Sequence, residues 1–106
     1  MYKIELFRLL NKARKCLRNS EYIGLRNNLE DLKVALENLK ILTKKSLSLH
    51  QEHALNRSYE TCLEILSLIV RLNFVRYHSK EHKNILQKIS INFNNLVAYL
   101  GDIGDI

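Results

Sequence analysis

The apolar residues of this chain recur at steps of three and four residues in four separate segments. Such spacing places them on one side of an α-helix, so the pattern predicts helices at about residues 2–18, 21–47, 51–77 and 80–100. No segment alternates apolar and polar residues over a useful length, so strands are not expected. The most regular stripe belongs to the second segment and comprises Tyr22, Leu25, Leu29, Leu32, Leu36 and Leu39.

The third predicted helix is the most apolar of the four. One side carries residues such as Leu55, Leu66 and Ile69, while Ile65 and Leu68 lie on the other side. A helix that is apolar on nearly every side is usually buried on nearly every side. We therefore expect this helix to be covered by the rest of its own bundle or by another subunit.

The helix boundaries are marked by capping residues. Proline is absent, and only three glycines occur. Ser48 and Gln51 have the spacing of a capping box, which predicts the start of the third helix. Ser79, followed by Glu81, suits the N-cap of the fourth helix, and Ser20 precedes the second.

The short connections between these helices favour antiparallel neighbours. The chain is therefore predicted to be all-α, with an antiparallel up-down-up-down four-helix bundle as a single domain over residues 1–100. Gly101 is expected to stop the last helix, which leaves a frayed tail at residues 101–106. Two long helical hairpins that dimerise would use the same elements, so this alternative stays open.

Length and composition limit the class of protein. A chain of 106 residues that is 46% hydrophobic can form one domain around one core. It contains no run of 18 uncharged apolar residues and no apolar segment typical of a signal peptide, so we expect no membrane partner and a cytoplasmic location. Cys16 and Cys62 fall on apolar helix faces without a CxxC partner, and we expect both to be reduced, buried thiols.

The formal net charge of +6 favours an anionic partner. The first helix contributes six cations against one acid, Glu5. In an antiparallel bundle, the end of this helix shares one pole with the junction of the third and fourth helices. The sequence thus predicts binding of the RNA or DNA backbone by a basic pole, although an acidic protein surface fits the same charges. Arg8, Lys12 and Lys15 form a stripe along the first helix, away from its leucines, and the pole adds cations from the helix ends. Together the predicted binding residues are Arg8, Lys12, Arg14, Lys15, Arg18, Arg76, Lys80 and Lys83.

No pattern in the chain predicts catalysis. Arg71 and His78 match the loose spacing of one family of helical ribonucleases, but no polar cluster accompanies them. His50 with His53, and His78 with His82, have helical spacing for metal ligands but lack a supporting set of carboxylates or cysteines. We therefore predict no catalytic residues, no metal site and no cofactor, and we expect that the chain is not an enzyme.

The second half of the chain resembles a known family. Residues 62–100 contain an aliphatic run that includes Arg71, a Ser-Lys turn and a last helix in which Val97-Ala98 and an aromatic stand where the family has two small residues and an aromatic. This order is similar to the last two helices of the accessory variability determinants, the four-helix accessory proteins of diversity-generating retroelements. Those proteins are related to helical proteins encoded in ribosomal-RNA intervening sequences. The matching segments are Leu66 to Leu72, Ser79-Lys80 and Leu96-Val97-Ala98-Tyr99.

The resemblance implies a non-catalytic basic bundle that binds the reverse transcriptase of the element and its template RNA. It also implies a homo-oligomeric ring, typically a pentamer. Under this hypothesis Arg71, Leu68, Leu72 and Tyr99 form the interface with the partner or with other subunits, and Arg71 is buried there. An ion pair between Arg71 and Glu64, or another acid of the same chain, stays the alternative.

Two other classes of function fit the same features. Bacteriocin immunity proteins are also small basic helical bundles, and they bind protein alone. The small helical subunit of a CRISPR effector complex binds the nucleic-acid backbone in a filament.

One prediction follows from the hypotheses in which the chain binds nucleic acid. Neutralising Arg8, Lys12 and Lys15 together is predicted to weaken RNA binding with little loss of stability.

Overall fold

The computed structural model describes residues 2–104, with side chains described from Lys3 onward, and it is all-helical over this range. The molecule measures 47 × 21 × 18 Å. Its four helices confirm the four predicted segments, and no strand occurs among the described residues. The helices are α1 (Tyr2–Arg18), α2 (Tyr22–Leu42), α3 (Leu49–Leu72) and α4 (Lys80–Ile103).

The core lies between helices that pack in chain order. α1 packs on α2, α2 on α3 and α3 on α4, whereas α1 makes only slight contact with α4. This slight contact leaves a furrow open along the α1–α4 side of the molecule. The predicted stripe of α2 is confirmed, since five of its leucines are at most 1% exposed: Leu25, Leu29, Leu32, Leu36 and Leu39.

α3 is buried on two sides because it is packed against both α2 and α4. Ile65, Leu68 and Ile69 all belong to the core of the chain itself. Leu63 and Val70 remain exposed in the single chain, so the expected covering of these residues by another subunit stays a prediction.

Two helices end earlier than their apolar spacing predicts. α2 stops at Leu42, five residues before the predicted end, and the amide and the hydroxyl of Thr43 both donate to the Leu39 carbonyl there. α3 stops at Leu72, again five residues early, where the amide of Asn73 bonds the Val70 carbonyl in a tight turn.

The two caps that depend on local spacing are confirmed. The Ser48 hydroxyl accepts from the Gln51 amide at 3.1 Å, and the Gln51 side chain accepts from the Ser48 amide at 3.0 Å, which completes the capping box. The Ser79 hydroxyl accepts from the amide of His82 at 3.1 Å. These bonds fix the starting points of α3 and α4.

The expected cap at Ser20 is wrong. Glu21 occupies the N-cap position of α2 and makes no capping bond with its side chain. Ser20 instead terminates α1 with a left-handed φ of 57°. Its amide bonds the Leu17 carbonyl, and the Glu21 amide bonds the Cys16 carbonyl, which is the Schellman pattern of a helix end.

The predicted stop at Gly101 is also wrong, because α4 continues to Ile103. Ile103 extends the apolar stripe of α4 and is 1% exposed. The Gln51 side chain donates to the Ile103 carbonyl at 2.9 Å, which ties this last turn to the start of α3. Met1 of the predicted domain, and Asp105 and Ile106 of the predicted tail, lie outside the described residues.

Within residues 2–104, none of the helices combines the length and the apolar character needed to cross a membrane.

Candidate nucleic-acid interface

A cavity of about 690 Å³ opens at one end of the molecule, and we call it the end groove. The α1–α2 turn, the first turns of α2 and α4, the last turn of α3 and the α3–α4 connection all contribute to it. The helix ends that the sequence places at one pole therefore do meet here. The lining residues are Ser20, Tyr22, Ile23, Arg26, Ile69, Val70, Leu72, Asn73, Tyr77, His78, His82, Lys83 and Leu86.

Three aromatic rings form one wall of the end groove. The ring centroids of Tyr77 and His78 are 3.8 Å apart, and that of His82 lies 5.1 Å from Tyr77 and 6.3 Å from His78. His78 has a left-handed φ of 62°, which is uncommon for a residue other than glycine. The Nδ1 atom of His82 is buried without a hydrogen-bond partner among the described residues. The wall thus combines stacking surface with an unsatisfied polar atom.

The charges that border the end groove are positive. Arg26 and Lys83 line it, and the exposed residues Arg76 and Lys80, which do not line it, lie next in the chain to residues 77–79. The carboxylate of Glu81, on the first turn of α4, lies 3.9 Å from the Arg71 guanidinium. Because the negative charge of Glu81 is offset by Arg71, it does not cancel the positive charge of the residues that line the groove.

A second opening of about 370 Å³, which we call the lateral groove, lies between α1 and α4. It is lined by Arg14, Leu17, Arg18, Ser90, Phe93 and Asn94. Ser90 follows Leu86 of the end groove by one helical turn, so the two grooves lie in succession along α4. Arg14, Arg18 and Lys83 of the predicted pole therefore border one extended surface.

The predicted stripe of Arg8, Lys12 and Lys15 lies on another flank of α1. Arg8 donates through Nε to the Glu5 carboxylate at 2.9 Å. This hydrogen bond lowers the pKa of Glu5 and raises that of Arg8, to which Asp31 of α2 adds a smaller effect. Arg8 therefore lies toward α2, and Lys12 and Lys15 share its stripe on α1. The stripe and the grooves are thus two separate basic surfaces, because they occupy different flanks of α1.

The four predicted interface residues do not form a common exposed surface. Leu68 is 2% exposed in the core of its own chain, so its side chain is not available to another subunit. Leu72 is partly buried and lines the end groove. Tyr99 accepts from Arg57 at 3.5 Å, with that guanidinium 5.6 Å from the ring centroid.

The predicted burial of Arg71 in an interface stays a prediction. In the single chain its side chain is half exposed, and the acid beside it is Glu81, one of the other acids that the alternative allows, and not Glu64. The early end of α3 explains this pairing, because it places Arg71 in the last turn of the helix, next to the α3–α4 connection. The exposed apolar side chains at this end of α3 and in the connection after it are Val70, Phe74 and Tyr77.

The arrangement offers little to a catalytic mechanism. Arg71 faces Glu81, while the His78 ring lies against Tyr77 with the two ring planes tilted by 45°. Burial raises the pKa of the Cys62 thiol to about 12, so this sulfur is protonated at neutral pH and is a poor nucleophile. Among residues 2–104, no three His, Cys, Asp or Glu side chains gather in a group able to hold a metal ion.

Both cysteines are free thiols, but they differ in burial. Cys62 is buried as predicted, whereas Cys16 is only partly buried. Asn28 of α2 lies with its amide nitrogen 3.5 Å from the Cys16 sulfur, at the contact between α1 and α2.

No protein-family model, curated protein or solved structure matches this chain. The resemblance to retroelement accessory proteins therefore stays a prediction. The functional hypothesis depends on the geometry of the two grooves.

The sequence does not single out Arg26, Tyr77 or His82 as binding residues. Arg26 lies in a segment of nearly balanced charge, and Tyr77 continues the apolar spacing of α3, so both have an ordinary structural explanation. One feature of the sequence could have indicated this position. The Tyr77-His78 pair directly precedes the Ser79 cap, and residues before a cap belong to a connection and not to the preceding helix.

Proposed function

We propose that the chain is a non-catalytic accessory subunit that binds RNA through the end groove and the lateral groove. The observation that carries this proposal is the composition of the two linings. They bring Arg14, Arg18, Arg26 and Lys83 together along α4, and no aspartate or glutamate is among the described residues that line either groove. Such a surface attracts a polyanion and holds its phosphates.

The proposal includes an antiparallel up-down-up-down bundle. Two contacts between the ends of helices support it. Gln51, at the start of α3, bonds Ile103 at the end of α4, and Arg71, at the end of α3, lies beside Glu81 at the start of α4. In this arrangement the α1–α2 turn and the α3–α4 connection share one end of the molecule, where the end groove opens.

The expected mode of binding is to the phosphate backbone. Arg18 and Lys83 are exposed, and long exposed cations can follow a flexible chain of phosphates without reading its sequence. Each phosphate that they neutralise releases condensed counterions, so the affinity depends steeply on salt concentration.

We also propose that the chain associates with itself and binds a protein partner. The exposed side chains of Leu63 on α3 and Phe74 in the connection after it support an interface with further subunits. Following the resemblance, we propose a cytoplasmic homo-oligomer, such as a pentameric ring, whose protein partner is a reverse transcriptase.

The test is the affinity for a fluorescently labelled RNA at two salt concentrations. If about four phosphates are contacted, raising the salt from about 50 to about 200 mM is expected to weaken binding about 50-fold. An affinity that is undetectable, or that is independent of salt, would contradict the proposed function.

Light scattering on the same preparation tests the self-association. A mass several times the 12.5 kDa of one chain is expected. A stable mass of one chain at every concentration would remove this part of the proposal.

A further inference from the structure

The end groove has a feature that phosphate binding alone does not use. The ring of Tyr77 is 73% exposed, although it stands on the wall of a cavity next to two imidazole rings. An exposed aromatic ring beside cations is the usual stacking platform for unpaired bases in proteins that bind single strands.

The volume and floor of the end groove suit a flat, partly apolar ligand. Its volume of about 690 Å³ lies within the range of about 300–1,000 Å³ that is typical of ligand pockets. Ile69, Val70 and Leu72 of α3 form an apolar floor below the rings. A single extended phosphate chain would leave this floor uncovered, whereas an inserted base would cover it.

The cations of the end groove suit the phosphates of a nucleotide. Arg26 and Lys83 line the same cavity as Tyr77, so they are placed to bind the phosphates that flank a base on this ring. Nδ1 of His82 takes no part in this contact, because it is buried away from the cavity.

We infer that the end groove binds one unpaired base of a single-stranded RNA. The base stacks on Tyr77 over the apolar floor, while Arg26 and Lys83 hold the adjacent phosphates. This inference rests on the proposed RNA binding and adds the class of RNA. Paired bases of a duplex are stacked inside the helix and cannot enter, so the groove selects single strands.

The experiment compares a single-stranded RNA with a duplex of the same length, using the full chain and two variants. The full chain is expected to bind the single strand at least about tenfold more tightly. Tyr77→Ala should lose about tenfold in affinity for the single strand and little for the duplex. Tyr77→Phe keeps the ring and serves as the matched control, so it should retain single-strand binding.

A fluorescent base supplies a second readout. A single strand that contains 2-aminopurine is expected to lose fluorescence on binding the full chain and the Tyr77→Phe variant, because the base stacks on the ring. Tyr77→Ala should abolish this quenching. Because Tyr77 is largely exposed, circular dichroism should show the same helix content in all three proteins.

The outcomes separate this inference from the proposed function. Equal affinity for single strand and duplex, with no effect of Tyr77→Ala, would overturn base binding and leave RNA binding intact. Failure to bind either RNA would overturn both. Quenching that persists in Tyr77→Ala would place the stacked base outside the end groove, which also overturns the inference.

Discussion

Replacing Ile103 with alanine is expected to lower the free energy of unfolding by about 2–4 kcal/mol, although the residue lies close to the end of the chain. Ile103 is 1% exposed and belongs to the core. Truncating it leaves a cavity between α4 and the start of α3, next to the bond from Gln51 to the Ile103 carbonyl. The measurement is urea unfolding followed by circular dichroism.

Asp102→Ala is the matched control for this change. Asp102 is the preceding residue in the same helical turn, but its side chain is exposed. We expect it to alter the free energy of unfolding by no more than about 0.5 kcal/mol. Equal, small effects of the two substitutions would show that the last turn of α4 does not pack on the core.

The second large effect is expected from neutralising the grooves. Changing Arg14, Arg18 and Lys83 together to glutamine should weaken RNA binding on the order of 30-fold, because three phosphate contacts are lost. The slope of log affinity against log salt should become shallower by about 2. The expected loss of stability is small, because none of the three side chains is buried.

Two other triple variants remove the same number of charges and so serve as controls. The first control changes three exposed lysines at the opposite end of α2 to glutamine: Lys40, Lys44 and Lys45. This variant should weaken RNA binding by less than about threefold. Arg8, Lys12 and Lys15, the stripe singled out from the sequence, should also matter less than the grooves, because Arg8 is held by Glu5. If the stripe variant loses as much affinity as the groove variant, the grooves are not the main binding surface.

The parts of the fold that depend on local spacing could be predicted. The leucines of α2 repeat at three and four residues, which is sufficient to identify the buried face. The caps at Ser48 and Ser79 depend on residues three positions away, so they too are visible in the sequence. Such features are fixed by neighbours along the chain.

The ends of the helices could not be predicted in the same way. Val75 and Tyr77 continue the apolar spacing of α3, yet the chain turns at Asn73, and Tyr77 is left exposed. Ser20 has the chemistry of an N-cap but occupies the left-handed position that ends α1. At these positions tertiary packing decides where the chain leaves the helix.

The candidate site was predictable as a set of residue types but not as a surface. The period of α1 shows that Arg8 and Arg14 both point away from the core. It does not show that Arg8 lies toward α2 while Arg14 lies toward α4. This difference depends on which helices pack on each flank of α1, and the spacing of a single helix carries no such information.

Binding of RNA along α4 at the end and lateral grooves is tested most directly by an NMR titration of the labelled protein with a short single-stranded RNA. We expect the backbone amide signals of Arg18, Arg26, Tyr77, His82 and Lys83 to shift progressively, while those of the α2–α3 connection at residues 43–48 stay in place. Shifts confined to the α2–α3 connection, or to the stripe of Arg8, Lys12 and Lys15, would contradict it.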